Sequence, residues 1–413
     1  MRIKPWILPC LMLSGGATWN IWPAGAAVLS LLLPAGVIQA DKHSTRWWLA
    51  FIWFFAGSIS IVPSAAGFFG TQYLALGIAA WIASSALLAL PWIIASTPIG
   101  AVMAALLDAI PPIGLIGWLS PLTAAGWLFP RQGLAGVAGC LTVMAWIAAT
   151  AKRNNCHGCK VSARTGVMGD RYSGILKLMA GILAMWIIIA NLRYVPPATP
   201  VGWVGIQTSI QPSNGDVFQA ITNNRALIAA AQSQGSHAKY LVFPEAVLDD
   251  WWPGTRSQVA AAVPQGQTWI IGAETLAPGA RYDALVIAQQ HRAQRDPVFR
   301  AALPMPVSMW RPGFTRSFQG VWHEPVQIID GHRVWANICF DQVLPLVWID
   351  GMLQSPDLIL LPSNSWWAQP WNPAPEIQKT QAQAWVRAMR VATVWANNRQ
   401  LSKSVESIYQ LDD

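Results

Sequence analysis

The sequence predicts a chain in two parts: a polytopic α-helical membrane domain over residues 1–195, then an α/β layered domain over residues 196–413. Three observations predict it. The chain is 54% apolar and only 11% charged over 413 residues, with a mean hydropathy of +0.36, too apolar for an ordinary soluble protein. Charge is unevenly divided: the first 195 residues hold 12 Lys and Arg against 3 Asp and Glu, and the rest holds 15 against 16. The second half alternates short apolar runs with longer helical ones, the pattern of strands covered by helices. The basic excess sits in loops between apolar segments, so a pI near 9.5 is no argument for nucleic-acid binding, and none is expected.

A spanning helix needs about 20 mostly apolar residues. Seven candidates run along the first domain. Residues 6–22 and 23–39 are joined by a tight hairpin at Asn20-Ile21-Trp22-Pro23. Spans over 47–70 and 73–96 follow. The fifth, 97–118, is weaker, because it holds Asp108 and the pair Pro111-Pro112. The apolar stretch 121–129 is too short to cross alone and completes the fifth span or re-enters. Residues 133–151 and 175–192 are the sixth and seventh.

Orientation follows from Lys and Arg in short loops. Arg2 and Lys4 precede the first span, Lys42 and Arg46 follow the second, and Lys152, Arg153, Lys160, Arg164, Arg171 and Lys177 flank the last two. A cytoplasmic N-terminus puts all three groups inside, with only Arg131 on the wrong side. An odd number of spans then places residues 196–413 on the periplasmic face of a bacterial inner membrane. A cleavable signal peptide is the competing reading of the N-terminus; the spans that follow at once favour an uncleaved first span.

In the second domain, strands are expected over 201–209, 240–244, 268–273 and 282–288, the last two as a hairpin. Strands over 326–329 and 333–339 flank an Asp330-Gly331 turn, a strong hairpin signal. The all-apolar run 358–362 is a buried strand. Helices are expected over 217–234, 344–353 and 374–396.

Two strand ends carry chemistry. Val334-Trp335-Ala336-Asn337-Ile338-Cys339-Phe340-Asp341 leads an apolar run into a cysteine and then a polar turn, which holds a thiol rigidly with one side open, as a nucleophile requires. Tyr240-Leu241-Val242-Phe243-Pro244-Glu245 ends another apolar run in a carboxylate. Two such ends at one rim of a sheet make a base–nucleophile pair. A strand-end cysteine is more often packing filler; the two motifs in this order favour function.

Five cysteines are too few for a disulfide framework. Cys10 and Cys140 fall in spans as small packing residues. Cys156-His157-Gly158-Cys159 offers at most three ligands without a partner pair, so no metal site is assigned. Cys339 is then the one cysteine of the outer domain, where an unpaired thiol is a liability unless sheltered or used.

Further runs extend the pattern: Leu360-Leu361-Pro362-Ser363-Asn364-Ser365-Trp366, a helix bearing Arg387 and Arg390, and Ala396-Asn397-Asn398. With the Glu245 and Cys339 motifs they resemble the carbon–nitrogen hydrolase (nitrilase) superfamily. Seven spans ahead of such a domain resemble apolipoprotein N-acyltransferase, and the overall length is most similar to TraB-type conjugal transfer proteins. The resemblance implies an αββα sandwich with a Glu–Lys–Cys triad: Glu245 the general base, Cys339 the nucleophile, and Phe340, Asp341 and Asn364 supporting the site and its oxyanion. It implies a phospholipid acyl donor, a thioester on Cys339 and an amine of a lipoprotein or peptide as acceptor, with no cofactor, and the conjugation machinery as a partner.

Where the family has its lysine this chain has Phe299-Arg300-Ala301-Ala302-Leu303-Pro304, which gives Arg300 the oxyanion role. Arginine keeps the charge but needs more room and does not release a proton. The family also continues past Asn397-Asn398 into further strands, and the acyltransferases into a last span, so the domain is expected to be shortened at its C-terminus. Trp251, Trp252, Trp310, Trp366, Trp367 and Trp371 lie in loops near the strand ends. Tryptophan favours the headgroup zone, so they line a lipid entrance or pack the sandwich rim; Trp251, Trp252, Trp366 and Trp367 are the candidate entrance. Asp108, the one acid inside a span, is a functional candidate or sits on a water-exposed re-entrant loop. His291, His323 and His332 lack metal-ligand spacing. Two functions stay open: an acyl or amide transferase working through Cys339, or a conjugation component that keeps the fold without the chemistry.

Overall fold

The computed structural model describes residues 6–155, 167–315 and 317–399. The Cys156-His157-Gly158-Cys159 motif, much of its basic loop and the tail 400–413 lie outside them. The chain divides into two compact units. The first holds Met1–Pro196 with Val343–Leu346 and Glu376–Arg390; the second holds the rest.

The first unit is helical; Thr71–Ile94, Gly133–Asn155 and Val167–Leu192 are as long as the spans expected there, and others are shorter. Among the described residues, two helices are long and apolar enough to cross a membrane, Thr71–Ile94 and Gly133–Arg153. A third joins them if His43–Gly57 and Ile61–Phe69, bent by 49° at the break between them, count as one. The expected span over 23–39 is cut into Pro23–Leu29 and Leu33–Val37 with a 3₁₀ turn between. Proline explains this: it starts helices well but lacks the N–H that continues one, and Pro23 and Pro34 each stand in a first turn. The fifth span likewise yields only Pro98–Leu107, with Thr97 capping its start by accepting from the Gly100 N–H.

Polar groups inside this unit are held by backbone carbonyls and by other side chains. Arg46, expected in a cytoplasmic loop, is buried; its guanidinium donates to the carbonyls of Ile93, Ala40 and Asp41 at 2.8–3.0 Å. Asp108 is buried rather than water-exposed, and its Oδ2 accepts from Trp92 Nε1 at 2.7 Å. Glu376–Arg390 also belongs here. Gly126 admits the Ala384 backbone where any side chain would collide. Arg387 lies over the rings of Trp127 and Tyr194 and donates to Asn191 Oδ1 at 3.1 Å.

The second unit is built on two sheets. Strands β1 (Trp203–Gly205), β2 (Tyr240–Val242) and β3 (Thr268–Ala277) run parallel. β4 (Ala280–Gln289) returns antiparallel along β3, and the short β5 (Arg292–Ala293) and β6 (Phe299–Arg300) pair with β4. The other sheet has the order β10-β9-β8-β7, from β7 (Gln327–Ile329), β8 (His332–Ala336), β9 (Leu358–Asn364) and β10 (Ala392–Asn398). Asp330 and Gly331 both take positive φ, 54° and 78°, which matches the twist of the β7–β8 hairpin.

Facing side chains of the two sheets form one core: Val242, Ile270, Leu285 and Phe299 from the first, Val334, Leu358, Leu360 and Val394 from the second. Helices Val217–Gly235 and Pro253–Ala262 cover the outer face of the first sheet, sealing Leu227 and Val259 against Ile271 and Val286. Beyond the second sheet, Trp348 of Pro345–Gln354 meets Trp335 edge-on. The layers run α-β-β-α, as expected.

One element differs in type. The helix expected over 374–396 stops at Met389, and Ala392–Asn398 is a strand parallel to β9. Arg390 takes φ 54°, the left-handed residue that commonly ends a helix. The run Val391-Ala392-Thr393-Val394-Trp395 is rich in strand-favouring side chains. Its alternating burial also fits a strand.

Candidate active site

Glu245 and Cys339 meet. β2 ends at Val242, but the run stays locked to its neighbour, since the Phe243 N–H donates to the Ile270 carbonyl at 2.8 Å. Gly272 of β3 lets the chain pass Pro244 and Glu245 closely; a Cβ there would collide with their backbone. Ala246 then turns the chain away at φ 42°. The Glu245 side chain is left at the strand end, 6% exposed.

Cys339 sits three residues beyond β8, on an elbow rather than in the strand. Asn337 still pairs with β9, donating to Leu360 at 3.0 Å, and Ile338 is packed between the sheets. Cys339 takes φ 44° and opens a 3₁₀ turn, Cys339–Val343. A non-glycine residue held at positive φ is a strain that the surroundings must fix. Here Gln342 fixes it: its Nε2 donates to the Asn337 and Pro362 carbonyls at 3.0 and 3.1 Å.

The Cys339 thiol and the Glu245 carboxyl are hydrogen-bonded, and the backbone N–H of Asn364 favours the charged form of both. Asn364 also donates from Nδ2 to the Glu245 carbonyl at 2.9 Å and accepts from Asn398 Nδ2 at 2.8 Å. Asn398 is held in turn by Thr208 Oγ1 and the Ile210 N–H, both donating at 2.7 Å. This amide chain fixes the end of β9 against the end of β2.

Asp341 supports the site at one remove. Its two oxygens accept from the Ala302 and Leu303 N–H groups at 2.7 and 2.8 Å, so it holds segment 301–303. Phe340 lies beside Cys339 on the same turn and is buried.

Arg300 is not brought to the pair. It stands opposite Ala284 in the β4–β6 ladder, on the outer face of the sheet, because directly paired residues project to the same side. There it lies over the Tyr282 ring and grips Glu324 through Nε and Nη2 at 3.1 and 3.3 Å. The oxyanion role expected of Arg300 is therefore not supported by its position.

A carboxyl the sequence reading passed over takes part instead. Asp283 of β4 is 1% exposed, its carboxyl is hydrogen-bonded to Glu245, and its Oδ1 has no further partner among the described residues. The available signal was an acid opening the inward face of an apolar strand, two residues before the buried Leu285.

Burial dominates the electrostatics. It raises the Glu245 carboxyl to about 7, with the Cys339 and Asp283 hydrogen bonds working against it. Burial and then the Glu245 charge push Asp283 well above the usual carboxylate range. Burial lifts Asp341 to about 8 despite its two backbone donors. The Cys339 thiol is also pushed well up, by burial and then by Glu245. A carboxyl near 7 suits a general base at neutral pH. A thiol kept neutral until its proton has somewhere to go is sheltered from oxidation.

The candidate entrance tryptophans scatter. Trp251 is a core residue, buried and donating from Nε1 to the Gln294 carbonyl at 2.7 Å. Trp366 and Trp367 are half-buried just past β9. Trp252 and Trp371 are the exposed ones, at 55% and 71%.

No family model matches the chain. It is 25% identical over 425 residues to the conjugal transfer protein TraB of Agrobacterium fabrum (strain C58), covering 95% of this chain and 93% of that one. It is 26% identical over 377 residues to a probable conjugal transfer protein TraB of Sinorhizobium fredii (strain NGR234), covering 87% and 90%. Among solved structures, a mutant Nesterenkonia AN1 amidase of the nitrilase superfamily superposes with a TM-score of 0.37 at 15% identity, over 50% of this chain and 80% of that one. The NitFhit protein of C. elegans gives 0.33 at 15% identity, over 49% and 52%. Over nearly its whole length, the chain is similar to TraB-type conjugal transfer proteins.

Proposed function

We propose that this chain is a membrane-anchored component of plasmid conjugal transfer whose α/β unit performs acyl or amide transfer through a thioester on Cys339. The observation that supports the reading best is the hydrogen bond between the buried Glu245 and the half-buried Cys339 at the ends of strands from two facing sheets. As the sulfur attacks an acyl ester, its proton passes to Glu245. The C–S bond forms, the C–O bond breaks, and the departing alkoxide takes the proton from Glu245. An amine then attacks the thioester and gives a proton to Glu245; the C–S bond breaks and the thiolate recovers the proton. The net reaction is ester plus amine to amide plus alcohol. A phospholipid is the proposed donor and a lipoprotein or peptide amine the proposed acceptor.

The proposed placement is the bacterial inner membrane, with a cytoplasmic N-terminus and a periplasmic α/β unit. Reporter fusions after Arg46 are expected to read cytoplasmic and fusions after Pro197 periplasmic; a cytoplasmic signal at Pro197 contradicts it. A second reading has its own support. The thiol faces carboxyls, and Arg300 is committed to Glu324, which suits a conjugation component without chemistry. Donor strains carrying Cys339→Ala or Glu245→Gln separate the two. The transferase reading expects plasmid transfer to fall with protein level unchanged; unaltered transfer supports the non-catalytic reading.

A further inference from the structure

We propose that Asp283 is a positioning residue, a neutral carboxylic acid that donates to Glu245 and holds it as the acceptor for the Cys339 proton. The inference rests on the reading above, in which Glu245 is the base for Cys339. Asp283 and Glu245 are hydrogen-bonded and both buried. Two carboxyls can share such a bond only if one carries a proton. Geometry decides which one. Glu245 also faces the Asn364 backbone N–H and the Cys339 thiol, both donors, so it is the natural acceptor. Asp283 has an oxygen without a partner among the described residues, and an unpartnered buried oxygen is far less costly on a neutral acid than on an anion.

The surrounding charges agree. Glu274 stands directly across the ladder from Asp283 and is ion-paired to Arg281, so Arg281 is engaged elsewhere. Asp341 is the other acid acting in the cluster. Burial and Glu245 both favour the protonated form of Asp283. The acid then steadies Glu245 with a proton instead of a positive charge.

The test is the pH dependence of Cys339 alkylation by iodoacetamide in the full-length protein, read on the Cys339 peptide by mass spectrometry. Wild type is expected to show an inflection near the Glu245 value. Asp283→Asn keeps a donor of the same shape and is expected to hold the inflection and stay within about threefold in rate. Asp283→Ala is expected to move the inflection upward and slow labelling at pH 7 by at least about tenfold. A second measurement does not depend on the alanine variant folding: infrared difference spectra of wild type against Asp283→Asn should show the band of a protonated carboxyl at neutral pH. A wild-type profile for Asp283→Ala, equal damage from both substitutions, or no protonated-acid band overturns the proposal. If instead Glu245→Gln leaves the profile unchanged, the underlying base assignment fails, and the assignment of Asp283 falls with it.

Discussion

The two faces of one strand solve the same problem in opposite ways. On the outer face beside β4, Glu324 is a buried acid neutralised by a cation, the Arg300 guanidinium, itself one-third exposed. On the inner face, Glu245 is a buried acid whose neighbours are another acid and a thiol. The outer arrangement is an ordinary ion pair. The inner one keeps charge low until a proton moves: burial raises the Glu245 carboxyl to about 7 and pushes Asp283 and the Cys339 thiol well above their ordinary ranges. A perturbed group is worth more to chemistry than a satisfied one, which supports the inner face as the proposed reactive centre.

The comparison breaks most sharply at Glu245. Glu245→Ala is expected to slow thiol-selective labelling of Cys339 by at least tenfold at pH 7, since general-base help is worth about 10²–10⁴-fold. Equal labelling rates would mean the two side chains touch without acting on one another.

A smaller effect is expected at Asp341. Asp341→Ala removes two buried acceptors and leaves the Ala302 and Leu303 N–H groups unpaired. It should destabilise the α/β unit by roughly 2–5 kcal/mol, measured by denaturant unfolding. A loss under about 1 kcal/mol would show that segment 301–303 is held by something else.

The pH dependence of stability follows from the same inner face. Glu245 and Asp341 titrate higher when folded than unfolded, at about 7 and about 8. The folded state therefore holds their protons longer. Their contribution to stability is full below the unfolded values near 4 and is lost as pH rises to about 8. Thermal unfolding should show stability falling across that window, and falling less steeply in Glu245→Gln. A rise with pH would reverse the assignment.

The outer face should respond least. Arg300→Ala is expected to cost about 1 kcal/mol, the scale of a partly exposed ion pair, and to leave Cys339 labelling unchanged; Arg300→Lys should be nearly silent. A large loss of labelling in Arg300→Ala would return Arg300 to the site.

The same contrast explains what could be read in the sequence. Glu245 and Cys339 were legible because each ends an apolar run, and a strand end is a place in the fold before any tertiary structure is known. Asn364 and Asp341 were legible only through the resemblance that their runs carry, and the hydrogen bonds that give them work were not. Arg300 was misplaced because spacing along the chain says nothing about which face of a two-residue strand a side chain takes. A shift of one residue reverses the face. Asp283 was missed for the same reason, since its meaning depends on inward projection beside Glu245. The helix over 374–396 ran too long because Arg390, an ordinary residue by composition, adopts the left-handed turn. In the helical unit, apolar length was legible, and the breaks at Pro23 and Pro34 follow from proline chemistry that the span reading passed over; the capture of Arg46 by carbonyls depends on packing.

The most direct test of the central claim is the mass of Cys339 after the full-length protein is incubated with phospholipid vesicles. An acyl mass increment confined to the Cys339 peptide, removed by hydroxylamine and absent in Glu245→Gln, is the expected result. Unmodified Cys339 in well-folded protein, or an equal increment in Glu245→Gln, would contradict it.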